Sequence, residues 1–79
     1  MKNITIIDVR TPQEFAAGHV EGSINIPLQE LPQRIEEIRT FRSPIVLCCA
    51  SGNRSARAKL ILENFGIPCE NGGSWFDLL

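Results

Sequence analysis

The sequence has almost no net charge and no long apolar run. Eight Lys and Arg residues stand against nine Asp and Glu residues, so the formal net charge is −1. A chain without a basic excess lacks the charge that attracts nucleic acid. No segment of the sequence approaches the roughly 18 consecutive apolar residues of a membrane span. We therefore expect neither a nucleic-acid partner nor a membrane partner.

The N-terminal segment also lacks the features of a secretion signal. Residues 1–10 contain one Lys, no extended apolar core and no small-residue cleavage site, and they are typical of a strand. We therefore expect the protein to lie in the cytoplasm. The chain is 79 residues long, a length that fits one domain spanning residues 1–79.

Cysteine and histidine are scarce. The three cysteines, Cys48, Cys49 and Cys69, include one adjacent pair, and the sequence holds one His and no CxxC pair. An odd number of cysteines with two neighbours argues against a disulfide framework. The lack of a ligand cluster argues against a metal site, so we expect none. Each cysteine is then either a reactive thiol or a small buried side chain.

Short apolar runs alternate with helical patterns along the chain. The β-type runs predict strands at residues 3–9, 23–26, 45–48 and 67–70. The helical patterns predict helices at residues 11–18, 28–41 and 55–65. This alternation indicates βαβ units joined by right-handed crossovers. We expect an α/β fold of three layers, with a small central parallel sheet and helices on both faces.

Each of the two longer helical segments is predicted to bury one face. In the segment 28–41, the apolar face holds Leu31, Ile35 and Ile38. In the segment 55–65, the predicted face holds Leu60, Ile61 and Phe65. Gly72 and Gly73 are predicted to form a tight turn, and residues 74–79 one further helical turn.

The most informative segment follows the apolar run 45–48 and is called here the Cys49 loop, residues 49–55. Parallel sheets bind ligands beyond the carboxyl ends of their strands, which is where this loop falls. Loop amides and the free N–H groups of the following helix can converge on one point and favour a thiolate at Cys49. Gly52 permits a positive φ. Arg54 offers a forked cationic donor that either holds an anionic substrate or closes the loop.

These residues resemble the rhodanese-like domain family. The hallmark of that family is Cys-x-x-Gly-x-Arg followed by Ser or Ala, and the Cys49 loop matches it at every position. The resemblance continues through much of the remaining sequence, in the segments Ile7–Arg10, Glu14-Phe15, Gly18–Pro27 and Asn71–Gly73, and at Trp75.

The resemblance implies a sulfurtransferase that needs no metal or organic cofactor. Cys49 would take sulfane sulfur from thiosulfate or a persulfide, carry it as a persulfide, and pass it to a thiol or cyanide-type acceptor. The implied partners are this small sulfur donor and a thiol-bearing acceptor protein. The implied substrate-binding loop consists of Ala50, Ser51, Gly52, Asn53, Arg54 and Ser55. We interpret Asp8 and Arg10 as structural support for the scaffold.

The sequence also allows two other functions. One is a non-enzymatic sulfur-carrier or redox-sensing module that uses the same Cys49. The other is a phosphatase or arsenate reductase, because Cys48 and Arg54 are separated by five residues as in tyrosine-phosphatase loops. Leu47 stands where those loops carry His. Those loops also place Gly three residues after the Cys, and counting from Cys49 gives Gly52, whereas counting from Cys48 gives Ser51. Since neighbouring strand residues face opposite ways, we favour Cys49 as the nucleophile.

Overall fold

Residues 4–79 are described by the computed structural model; residue 3, the first of the strand predicted at 3–9, lies outside them. Within that range the strands are β1 (Thr5–Asp8), β2 (Ile24–Asn25), β3 (Ile45–Cys49) and β4 (Glu70–Ser74). They form one sheet in the order β2-β1-β3-β4, and every neighbouring pair is parallel. The predicted parallel sheet is therefore confirmed, with β3 between β1 and β4.

The helices connect these strands. They are α1 (Pro12–Ala17), α2 (Ile35–Ile38) and α3 (Asn53–Asn64), together with 3-10 helices at Leu28–Arg34 and Trp75–Leu78. At the start of α1, the Thr11 hydroxyl accepts from the Glu14 amide at 3.2 Å, and the Glu14 carboxylate accepts from the Thr11 amide at 2.9 Å. This reciprocal capping box fixes where α1 begins. No helix within residues 4–79 is long and apolar enough to cross a membrane.

The segment 28–41 is not the single regular helix that its periodicity predicts. It consists of the 3-10 helix Leu28–Arg34, which contains Pro32, followed by the short helix α2. Pro32 has no N–H to donate, and Arg34 leaves the helical conformation with φ −116° and ψ 20° before α2 begins. The predicted buried face is nevertheless correct, because its three members are at most 5% exposed: Leu31, Ile35 and Ile38.

Helical elements cover both faces of the sheet, as predicted. On one face, α3 packs against β3, β4 and the first 3-10 helix, and encloses the main apolar core. On the other face, the side chains of Val46 and Leu78 both lie close to the place where a Cβ atom at Gly72 would stand. Leu78 belongs to the second 3-10 helix, which therefore lies over the face opposite to α3.

The buried face of α3 differs from the prediction. Leu60 is 67% exposed and Phe65 is 43% exposed, so the prediction was wrong for both. The buried residues of α3 are instead Ser55, Ala58 and Leu62. These positions follow each other at steps of three and four, which is the spacing of one helical face. The helix thus turns Ser55, Ala58 and Leu62 toward the sheet and leaves Leu60 outside, and Phe65 just after its end is also outside.

The predicted tight turn at Gly72 and Gly73 is also wrong, because both residues lie inside β4. Leu47 pairs with Asn71 and Cys49 pairs with Ser74, so three residues of β4 advance while two residues of β3 advance. This irregularity is a β-bulge. At Gly72 a Cβ atom would lie 2.7 Å from Val46 Cγ1, so only glycine allows the two strands to approach this closely.

The orientation of α3 can be tested by a matched pair of variants. We expect Leu62→Ala to lower the free energy of unfolding by about 2–5 kcal/mol, because it opens a cavity in the core. Leu60→Ala removes the same atoms from an exposed side chain and should cost less than about 1 kcal/mol. Urea denaturation followed by circular dichroism measures both values. Equal losses in the two variants would contradict the described orientation.

Candidate active site

The Cys49 loop lies where β3 ends and α3 begins. Cys49 is the last residue of β3, and α3 starts four residues later at Asn53. Gly52 precedes the helix with φ 99° and ψ −11°, a left-handed conformation that favours glycine. This turn directs the N-terminus of α3 back toward the Cys49 side chain.

The Cys49 sulfur is surrounded by hydrogen-bond donors from this loop. The Gly52 amide donates to Sγ at 2.9 Å, and the Ser55 amide donates to it at 3.4 Å. The Ser55 hydroxyl oxygen lies 3.5 Å from the same sulfur. Cys49 itself is fully buried, at 0% exposure. The structure therefore brings Gly52 and Ser55 to Cys49, with their donors converging on one atom.

Two opposing effects act on the ionisation of Cys49. Burial acts to raise the pKa of the Cys49 thiol, because a buried thiolate loses its water shell. This pKa is lowered by hydrogen bonds from the Ser55 hydroxyl and from three amides, those of Ser55, Gly52 and Ser51. They outweigh burial, so the pKa of Cys49 is lower than that of an ordinary cysteine. The loop thus favours a buried thiolate without a neighbouring general base.

Cys48 lies in a different environment. It is fully buried on the face of β3 opposite to Cys49, and it pairs in register with Asp8 of β1. Burial, with a further contribution from the Asp8 charge, raises the pKa of Cys48 to about 12. Because Cys48 is a neutral thiol that points away from the loop, it is poorly placed to be the nucleophile of a phosphatase-type loop from Cys48 to Arg54. Burial also raises the pKa of Cys69.

Arg54 is held by an acidic residue of the scaffold. Its Nη1 and Nη2 atoms donate to the two carboxylate oxygens of Glu14, at 2.8 Å and 3.0 Å. This hydrogen bonding is the largest of the effects that lower the pKa of Glu14 to about 2, and the Thr11 amide contributes next. The sequence left two roles for Arg54, to bind an anionic substrate or to close the loop. Its pairing with Glu14 joins α3 to α1, which is the arrangement expected of the second role.

Asp8 and Arg10 form a buried ion pair below the loop. Arg10 Nε and Nη2 donate to the Asp8 carboxylate at 2.9 Å and 2.8 Å, and Nη2 also donates to the Gly18 carbonyl at 2.7 Å. The Arg10 guanidinium lies 4.6 Å from the centre of the Trp75 ring. Asn25 donates to the backbone carbonyls of both Asp8 and Arg10. These contacts join β1, β2 and the end of α1, in keeping with a structural role.

The remaining predicted loop residues are Ala50, Ser51 and Asn53, and all three are exposed. The Ser51 amide donates a hydrogen bond to the Cys49 sulfur. Asn53 is the first residue of α3, so its amide belongs to the turn whose N–H groups have no acceptor within the helix. The backbone of these residues therefore matters more to the site than their side chains.

Asn71 is a site residue to which the sequence assigned no role. Its Nδ2 donates to the Gly52 carbonyl at 3.2 Å, while its Oδ1 accepts from the Ser55 hydroxyl at 2.6 Å and from the Gly73 amide at 3.0 Å. An Asn directly before two glycines was visible in the sequence. Its position beside the loop follows from the pairing of β4 with β3, in which Asn71 lies opposite Leu47, and the sequence did not reveal that pairing.

The fold and the site together define a class: a small parallel α/β domain with a buried cysteine in an amide-lined loop at the carboxyl edge of the sheet. The family model of the rhodanese-like domain matches residues 1–74 of this sequence. The chain therefore belongs to the rhodanese-like domain family.

Individual relatives agree with this assignment. The chain is 49% identical over 61 residues to the uncharacterized protein YqhL of Bacillus subtilis, covering 77% of this chain and 48% of that protein. It is 39% identical over 74 residues to the thiosulfate sulfurtransferase PspE of Escherichia coli, covering 91% of this chain and 71% of that protein. A solved structure of a rhodanese with anions from E. coli superposes with a TM-score of 0.85 at 37% identity, covering 94% and 89% of the two chains.

The difference between the adjacent thiols can be measured directly. We expect a pH titration of thiolate ultraviolet absorbance to show one thiol ionising below the ordinary cysteine pKa of about 8.5. Cys49→Ser should remove this step, because the loop amides then have no thiolate to stabilise. Cys48→Ala should leave it unchanged, since burial holds the pKa of Cys48 near 12. If a thiol with a lowered pKa is still seen in Cys49→Ser, the assignment of that pKa to Cys49 is wrong.

Proposed function

We propose that this protein is a sulfurtransferase that moves sulfane sulfur from thiosulfate or a persulfide donor, with Cys49 carrying the sulfur as a persulfide. The observation that carries the proposal is the Cys49 sulfur held by the Gly52 and Ser55 amides at 2.9 Å and 3.4 Å. A thiolate stabilised in this way is an intrinsically strong nucleophile. Membership of the rhodanese-like family, and the sulfurtransferase name of PspE, support the same chemistry.

In the first step, the Cys49 thiolate attacks the outer sulfur of thiosulfate. A bond forms between Sγ and that sulfur, the sulfur–sulfur bond of the donor breaks, and its electron pair leaves with sulfite. With a persulfide donor, the leaving group is a thiolate instead. The transferred sulfur then carries the negative charge. The amides of Asn53 and Arg54, in the first turn of α3, are free of helical acceptors and can donate to it.

In the second step, an acceptor attacks the outer sulfur of the Cys49 persulfide. A thiolate acceptor becomes a persulfide, cyanide becomes thiocyanate, and the electron pair of the broken bond returns to Cys49 as a thiolate. The two steps consume no oxidant or reductant, so the transfer requires no redox cofactor. The exposed positions Ala50, Ser51 and Asn53 leave the loop open to a thiol-bearing acceptor protein.

The persulfide can be detected by its mass. After incubation with thiosulfate and removal of excess donor, we expect the intact protein to gain the mass of one sulfur atom. Cys49→Ser should show no gain, because the nucleophile is absent. Cys48→Ala is the matched control and should gain the sulfur as the unmodified protein does, since Cys48 lies on the other face of β3.

Adding cyanide to the same samples separates enzyme from carrier. Repeated production of thiocyanate establishes turnover, whereas a mass gain with release of one equivalent only would assign the protein to the sulfur-carrier alternative. If neither a mass gain nor thiocyanate appears, the sulfurtransferase proposal fails. Phosphatase activity that is lost in Cys48→Ala and kept in Cys49→Ser would favour the phosphatase-type frame.

The ion pair between Arg54 and Glu14 generates a prediction on donor choice. Because the guanidinium is held by Glu14, we expect Arg54→Met to lower kcat/KM for thiosulfate and for an uncharged alkyl persulfide by similar factors. A loss of roughly five-fold corresponds to the approximately 1 kcal/mol of a partly exposed ion pair. Glu14→Gln, which breaks the pair from its other side, should cause a comparable loss. A selective loss with thiosulfate in Arg54→Met alone would instead assign Arg54 to binding the anionic donor.

A further inference from the structure

The Ser55 hydroxyl lies between two groups that compete for its hydrogen. Its oxygen is 2.6 Å from Asn71 Oδ1 and 3.5 Å from Cys49 Sγ. Ser55 is fully buried at 0% exposure, so water does not take part in this competition. A serine hydroxyl carries one hydrogen and can therefore donate to only one of these neighbours at a time.

The orientation of the Asn71 amide is fixed by its other contacts. Its Nδ2 donates to the Gly52 carbonyl, and its Oδ1 accepts from the Gly73 amide. Rotating the amide by half a turn would place two acceptors together at Gly52 and two donors together at Gly73. The oxygen consequently faces Ser55, and an amide oxygen can only accept.

The protonation state of Cys49 then decides where the Ser55 hydrogen lies. While Cys49 is a thiol, S–H donates to Ser55 Oγ and the hydroxyl donates to Asn71, so every group in the chain has a partner. When Cys49 ionises, its sulfur needs donors, and the Ser55 hydrogen must leave Asn71 to reach it. Asn71 therefore stabilises the thiol form relative to the thiolate.

We propose that Asn71 is a positioning residue for Cys49, which holds the Ser55 hydrogen while Cys49 is a thiol and releases it to the sulfur when Cys49 ionises. The inference rests on the proposed function, because it takes Cys49 to be the reacting thiol. It adds a residue of β4 to a site that otherwise belongs to β3, the Cys49 loop and α3.

The contact between Asn71 and Gly52 is a competing explanation, because it could hold the loop in place. The Gly52 carbonyl, however, also accepts from the Ala56 amide at 3.0 Å, in the first turn of α3. Loss of the Asn71 side chain leaves this bond intact, and with it the position of the Gly52 amide at the sulfur. The effect through Ser55 should therefore exceed the effect through Gly52.

The charged groups around the site remain the same in Asn71→Ala and Ser55→Ala, and only Asn71→Asp adds a charge. Arg54 is paired with Glu14, and Arg10 is paired with Asp8. The titratable and charged groups around Cys49 include Asp8 of β1, Arg10 after it, Glu14 of α1, Cys48 of β3, Arg54 of α3 and Asp77 of the second 3-10 helix. The helix α3 and the strand β4 also carry Arg57, Lys59, Glu63 and Glu70.

Substitution of Asn71 tests the proposal through the Cys49 pKa, measured by thiolate absorbance without any sulfur donor. Asn71→Ala removes the acceptor and frees the Ser55 hydrogen for the thiolate, so the pKa should fall by about 0.5–1 unit, the equivalent of one hydrogen bond. Asn71→Asp keeps the acceptor and adds a negative charge, so the pKa should rise above that of the unmodified protein. A residue that only held the loop would give a higher pKa in Asn71→Ala, and that result would overturn the proposal.

A double-mutant cycle assigns the effect to Ser55. In the Ser55→Ala background, Asn71→Ala should leave the Cys49 pKa unchanged, because the hydrogen in question is absent. An equal shift in both backgrounds would overturn the proposal. Thermal unfolding of each variant shows that the fold is retained. Because the titration uses no donor, its failure is distinct from failure of the sulfurtransferase proposal, which is measured by the sulfur mass gain.

Discussion

The contact between the Gly52 amide and the Cys49 sulfur is the interaction on which the site depends. A thiolate buried at 0% exposure is unfavourable unless donors replace its lost water, and this 2.9 Å contact is shorter than the 3.4 Å contact from the Ser55 amide. The contact requires that β3 end at Cys49 and that the chain turn at once into α3. That turn requires the left-handed conformation of Gly52. The same turn at Gly52 therefore both places the donor at the sulfur and starts α3.

Two other elements of the fold contact the loop. Asn71 of β4 donates to the Gly52 carbonyl at 3.2 Å. Glu14 of α1 holds Arg54 in the first turn of α3. Since these supports are distant in sequence and meet only in the folded sheet, the reactivity of Cys49 is a property of the whole domain.

Most local features of this fold could be read from the sequence, and the features that depend on distant contacts could not. Strand order along the chain, the capping box at Thr11 and the buried positions around Leu31 follow from periodicity and capping. The exposure of Leu60 could not be foreseen, because apolar character alone does not specify how a helix is rotated against a sheet. The partner of Arg54 lies 40 residues away at Glu14. Asn71 reaches the loop through the pairing of β3 with β4, which joins residues more than 20 positions apart.

The alternation of side chains along β3 separates two thiols that are neighbours in sequence. Cys48 and Cys49 are joined by one peptide bond, yet their side chains leave the strand on opposite faces and end in different packing environments. Disulfide geometry requires the two Cβ atoms to approach from the same side, which an intact strand forbids. Under the proposed function, a sulfur atom carried by Cys49 could therefore not pass to the adjacent cysteine. The strand backbone would separate it from Cys48, and the sulfur would have to be transferred to another molecule.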